Sequence, residues 1–200
     1  MKKIKVKKNS GFGKSKTAKT TTKPPKKNWE AYCETAFNNM NGNLKNWGKA
    51  DYYRPITRTF YINVFDCAGV NHTGFISKNA IDYPKDRTLD HCLSPQFVGR
   101  MIMDNPEKFL SDYELFKNLF WLACSTVTVT KKENTSLSML TENNGYDYKV
   151  YVPTNLKYNH LGIELYEKNG TRWKDSKPKN SNILDVPEQL LEYETQFLVV

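Results

Sequence analysis

Residues 109–134, FLSDYELFKNLFWLACSTVTVTKKEN, decide the fold class. In the first half Phe109, Tyr113, Phe116, Phe120 and Ala123 recur in steps of four, three, four and three. That spacing places them on one face of a helix, and their apolar character predicts that the face is buried. The next six residues, Ser125–Thr130, are mostly β-branched and alternate, a composition that suits a strand. Thr130-Lys131-Lys132-Glu133 then has the T-x-x-E form of a capping box opening another helix, with Leu137 and Leu140 facing inward. Helix, strand and helix in so short a span point to a small mixed α+β domain.

Working outward, the helical stripe extends back to a start at Asp104 or Asn105 with Pro106 in the first turn, so one helix is expected from there to Ala123. Before it, Ser94 caps a helix opened by Pro95 that buries Phe97 and Met101, with Ile102. Arg87–His91 suits a short strand. From Thr59 to Asp66, Phe60, Ile62 and Val64 alternate with Tyr61, Asn63 and Phe65, which predicts a strand; Ala68-Gly69 turns it toward a second strand at Gly74–Ser77, a β-hairpin. The first ordered element is expected to be a helix from Asn28 to Met40, stopped by Asn41-Gly42-Asn43. Beyond the central stretch, strands are expected at Tyr148–Val152, Gly162–Tyr166 and Thr171–Lys174, the last two joined at Asn169-Gly170, and a final helix from Pro187.

The charge is unevenly placed. The chain has 30 Lys and Arg against 21 Asp and Glu, a net charge of +9. Residues 1–27 hold eleven of the Lys and no acid, so residues 28–200, with 19 basic and 21 acidic groups, are near neutral. Such a segment, rich in Lys, Thr, Ser, Gly and Pro, buries too little apolar surface to offset the entropy of ordering it. Residues 1–27 are therefore expected to be a disordered basic arm, followed by a single α+β domain over 28–200. Arms of this kind release counterions from phosphate backbones, which makes DNA the expected partner; a solubilising tail and an anionic membrane surface are the alternatives. The start MKKIKVKK is followed by no apolar run, and no stretch of eighteen apolar residues occurs, so no signal peptide and no membrane span are expected. Cys33, Cys67, Cys92 and Cys124 form no C-x-x-C pair and suit reduced thiols in a soluble intracellular protein.

Phosphate-binding Gly-rich loops, the G-x-S-x-G elbow, H-E-x-x-H and EF-hand loops are all missing. The local constellation with chemistry attached is Asp90-His91 at a strand end. Imidazole can take a proton from water near neutral pH, and an adjacent carboxylate can hold a divalent cation. The plainer alternative is a strand-end His that only hydrogen-bonds a carbonyl.

Arg87-Thr-Leu-Asp90-His91 resembles the first element of HNH (ββα-metal) endonucleases, a short strand ending in D-H. Lys117-Asn118-Leu119 through Cys124 and on to Thr130-Lys131-Lys132-Glu133-Asn134 looks like the second half of that motif. The resemblance covers residues 87–134 and is greatest to small phage-borne or homing-type members. It implies His91 as general base, Asp90 as metal ligand, Asn118 as the family's central Asn, and Mg²⁺ or another divalent cation as cofactor. The family's terminal His has no counterpart, since Val127 or Thr128 stands near its place; Asn134 is the alternative oxygen ligand. The family also places its central Asn in a loop, whereas Asn118 falls in the helical stripe.

Other expected nucleic-acid contacts are Lys2, Lys3, Lys5, Lys7 and Lys8 of the arm, Arg87 and Arg100 beside the D-H element, and Lys131 and Lys132 at the start of the capped helix. Lys in a first turn opposes the helix dipole, a conflict that a bound phosphate would relieve. The leading expectation is thus a DNA-binding protein with a divergent metal-dependent endonuclease centre. The rivals are a non-catalytic nucleic-acid-binding protein, and a virion or assembly protein whose arm meets packaged genome.

Overall fold

The computed structural model describes residues 28–138, 141–143, 149–151, 157–159, 161–167 and 177–178. Among these are seven α-helices and seven strands. The fold is α+β.

The helical layer begins with α1 (Trp29–Gly42), which buries Cys33, Ala36 and Met40. Next comes α2 (Ala50–Asp66), where the sequence predicts a strand over 59–66. Eight residues of Phe60, Ile62, Val64 alternation fit a period of two, but the buried positions are Ile56, Phe60, Asn63 and Val64, which is helical spacing, and Ile62 is exposed. With no strand at 59–66 there is no hairpin with 74–77. Strand β1 (Asn71–Ser77) instead pairs with two distant strands.

After the single turn α3 (Lys78–Asp82), strand β2 (Arg87–His91) lies where the sequence places it. Helix α4 (Pro95–Asp104) is capped by Ser94, whose hydroxyl accepts from the Phe97 N–H; it buries Val98, Met101, Ile102 and Met103, while Phe97 is half-buried. Gly99 sits where α4 crosses α2, and a Cβ there would meet the Phe60 Cβ at 3.1 Å. The single helix expected from 104 to 123 is two, α5 (Pro106–Phe109) and α6 (Tyr113–Ala123). The break falls where Asp112 accepts from the N–H groups of Glu114 and Leu115 and starts a new helix.

Strand β3 (Ser125–Thr130) is buried at every position. It lies between β2, to which it runs antiparallel, and β1, to which it runs parallel. Beyond β1 come β6 (Leu165–Glu167) and β7 (Lys177–Pro178), both antiparallel, giving the order β2-β3-β1-β6-β7. A separate antiparallel pair joins β4 (Thr141–Asn143) to β5 (Lys149–Tyr151). The strand expected at 171–174, Leu140 and the helix from Pro187 lie outside the described residues, as does the arm. Two apolar clusters result. One unites α1, α2, α4, α5 and α6; the other lies on the sheet under α7 (Lys131–Ser138) and contains Cys92, Val127, Val129, Leu137 and Tyr158.

The capping box predicted at Thr130–Glu133 is formed. The Glu133 N–H donates to the Thr130 Oγ1 at 3.2 Å, and the Thr130 N–H to the Glu133 carboxylate at 2.8 Å. The same carboxylate also accepts from the hydroxyls of Ser77 and Thr130 and from the Asn79 amide, tying β1 and α3 to β3 and α7. Burial pushes the Glu133 carboxyl up, but these donors together outweigh it and hold it below its usual value. A carboxyl depressed in the folded state adds stability above its unfolded value, which is lost as pH falls through the folded one. Glu133→Gln is expected to cost about 1–3 kcal/mol at neutral pH. The difference from wild type should shrink in urea unfolding at about pH 3 compared with about pH 7; an equal difference at both would refute the assignment.

Candidate functional site

His91 and Asp90 are adjacent on β2 and therefore point to opposite faces of the sheet. Asp90 is the cross-strand neighbour of Val127 and turns toward the cluster under α7; His91 is the neighbour of Thr126 and turns toward the helical layer.

The His91 Nδ1 lies 3.0 Å from the carbonyl oxygen of Ala123, the last residue of α6. A carbonyl only accepts, so Nδ1 carries the proton and Nε2 the lone pair. Burial lowers the His91 pKa, a trend that the Ala123 carbonyl and Asp90 oppose and Lys157 reinforces; the net shift is downward, so the ring is neutral at neutral pH. Among the described residues Nε2 is buried without a hydrogen-bond partner, and so is the Oγ1 of Thr126 on the neighbouring strand. Phe65 at the end of α2 lies beside the imidazole, with ring centroids 6.3 Å apart and planes tilted by 40°.

On the other face, the Asp90 Oδ2 accepts from the Lys157 Nζ at 2.6 Å and from the Tyr158 hydroxyl at 2.5 Å. Lys157 also donates to the His91 carbonyl at 2.6 Å. Burial, with the neighbouring Cys92 and Asp90, pushes the Tyr158 phenol well above its usual value, which keeps it a donor.

No family model, curated protein or solved structure matches this chain.

The geometry brings together only part of the expected site. Asn118 is exposed on α6 and Asn134 is half-buried in the first turns of α7. Among the described residues no hydrogen bond joins either to Asp90 or His91. No group of three or more His, Cys, Asp or Glu among them is placed to hold a metal ion. The ammonium of Lys157 fills the position at Oδ2 that a cation would need, so the residues as held do not fit a divalent ion. The Arg87 Nε donates to the Ala80 carbonyl at 2.7 Å, and the Arg100 Nε to Asp104 at 2.8 Å, so both are engaged within the fold. Lys131 and Lys132 are exposed in the first turn of α7. Lys2, Lys3, Lys5, Lys7 and Lys8 lie outside the described residues.

His72 accepts at Nδ1 from the Gly74 N–H and shares a 2.8 Å bond from Nε2 with Thr128, so both ring nitrogens are engaged. All four cysteines are buried and none is in a disulfide; burial pushes Cys33 and Cys92 up to about 12, leaving them as thiols. Lys157, Phe65 and Thr126 are the site residues that sequence reasoning missed; Tyr158, which the sequence offers as either a base-stacking or a core aromatic, is in the core. Asn-Leu-Lys157-Tyr158-Asn carries no pattern that would single it out. Thr126 has the only recoverable signal, as the register partner of a strand ending in His91. Among the described residues no helix is long and apolar enough to cross a membrane.

Proposed function

We propose that this chain binds nucleic acid and hydrolyses phosphodiester bonds at His91, as a divergent HNH-type endonuclease. The observation that carries this reading is the order of elements. Strand β2 runs antiparallel to β3, β3 leads directly into α7, and α7 packs on both strands. This strand–strand–helix unit holds Asp90-His91 at the end of its first strand and Glu133-Asn134 in the first turns of its helix, with α4–α6 inserted between the strands. The carbonyl of Ala123 fixes the imidazole, so Nε2 is the acceptor. The proposed step requires the strand end to open far enough to uncover Nε2, which is buried in the resting fold; Nε2 then takes a proton from water, the water oxygen attacks phosphorus, and the bond to the departing sugar oxygen breaks, that oxygen taking a proton from solvent. No step runs through a metal, because Lys157 holds the Asp90 carboxylate. The Lys-rich segment 1–27 supplies sequence-independent affinity for phosphate.

The Asp90–Lys157–Tyr158 network favours a second reading, in which the strand end is structural and the chain binds nucleic acid without cutting it. One experiment separates the two. The full chain is incubated with genome-length DNA and with single-stranded DNA, with and without Mg²⁺ or Mn²⁺, and new ends are mapped. Under the first reading His91→Ala lowers cleavage by about 10²–10⁴-fold and changes binding by less than about twofold, because phosphate contacts elsewhere carry affinity. Binding with no cleavage on any substrate leaves the second reading.

A further inference from the structure

We propose that the solvent face of α2 is a track for a single-stranded or unpaired stretch of nucleic acid, with phosphates on Arg54 and Arg58 and a base stacked on Phe65 beside His91. This inference rests on the phosphodiester reading, which requires a strand to pass His91.

The inward face of α2 is occupied by Ile56, Phe60, Asn63 and Val64. The outward face presents Arg54, Arg58, Ile62 and Phe65, at steps of four, four and three, which align on one side of a helix. Ile62 is 43% exposed and Phe65 55%. Burial therefore does not explain these side chains. Neither guanidinium is in an ion pair with a described residue, in contrast to Arg100, which is held by Asp104. The helix's own acids, Asp51 and Asp66, stand at its two ends.

Phe65 lies stacked on Tyr61, with centroids 5.7 Å apart and planes 24° from parallel, and it also neighbours the His91 ring. The stripe thus runs from two cations with no ion pair among the described residues to an aromatic platform whose ring centroid lies 6.3 Å from that of the imidazole. At 1.5 Å per residue, Arg54 to Phe65 spans about 16 Å, room for a few nucleotides of extended strand. Cations that take phosphates and a ring that takes a base face are the two components of single-strand recognition. A duplex offers Phe65 no free base face, and an apolar protein partner leaves both Arg uncompensated. The chemistry therefore selects unpaired nucleic acid.

The test measures binding of the full chain to a labelled thymidine homopolymer and to a duplex of equal length by fluorescence anisotropy over a series of salt concentrations, with every variant compared with wild type at the same salt. Phe65→Ala is expected to weaken single-strand binding by about five- to a hundredfold and to leave duplex binding unchanged; Phe65→Trp, which keeps a stacking ring, should retain affinity. Replacing both Arg54 and Arg58 by Gln should reduce the slope of log Kd against log salt by about 1.4. Equal single-strand affinity for wild type and Phe65→Ala, or equal losses on both substrates, overturns the track. If wild type cuts DNA while Phe65→Ala binds as wild type does, the track alone fails. If wild type binds neither substrate, the phosphodiester reading falls with it.

Discussion

Lys157→Met is expected to destabilise the fold by about 3–5 kcal/mol, the cost of removing one partner from a buried ion pair. The two side chains are 10% and 12% exposed, and the ammonium makes two bonds of 2.6 Å, to the Asp90 carboxylate and the His91 carbonyl. Met keeps the length and apolar stem but leaves a buried carboxylate with Tyr158 as its remaining donor, and the His91 carbonyl loses a donor as well. The loss should therefore come from the stranded charge rather than from packing. Adding Asp90→Asn removes that charge while keeping an acceptor for Tyr158, so the double variant should recover more than half of the loss. Urea unfolding of the wild type, both single variants and the double variant measures this. A loss below about 1 kcal/mol for Lys157→Met would show that the pair does not hold residues 157–158 against β2.

Phe120→Ala should cost about 3–5 kcal/mol, the usual range for a large aromatic removed from a core. Phe120 is fully buried in α6 and meets Phe60 of α2 edge-on at 5.6 Å; it also stacks with Trp29 of α1 at 6.5 Å. One side chain thus joins three helices, and the cavity left by Ala would be lined by rings already engaged with Phe116 and Trp121, which limits collapse. Phe116, also fully buried and edge-on to Phe37 and Phe60, should behave alike. Losses under about 1 kcal/mol at both positions would contradict the placement of this stripe at the centre of the helical layer.

The sequence alone determined whatever depends on neighbours a few residues apart. The stripe from Phe109 to Ala123, the β-branched strand Ser125–Thr130 and the Thr130–Glu133 capping box are each set by local spacing and local hydrogen bonds, and each appears as predicted, apart from the break that Asp112 introduces. Thr59–Asp66 reads as a strand because eight residues fit periods of both 2 and 3.6; only the packing of Phe60 against α4 and α6 selects the helix. Tertiary structure also decided the partners of β1, because strand pairing depends on segments far apart in the chain. The candidate site divides in the same way. Asp90-His91 was visible as a pair at a strand end, but its surroundings were not. Lys157 and Tyr158 reach Asp90 across 67 and 68 residues, and Ala123 reaches His91 across 32. A side chain's charge partners and burial are set by what the fold brings against it, which neither composition nor local spacing encodes.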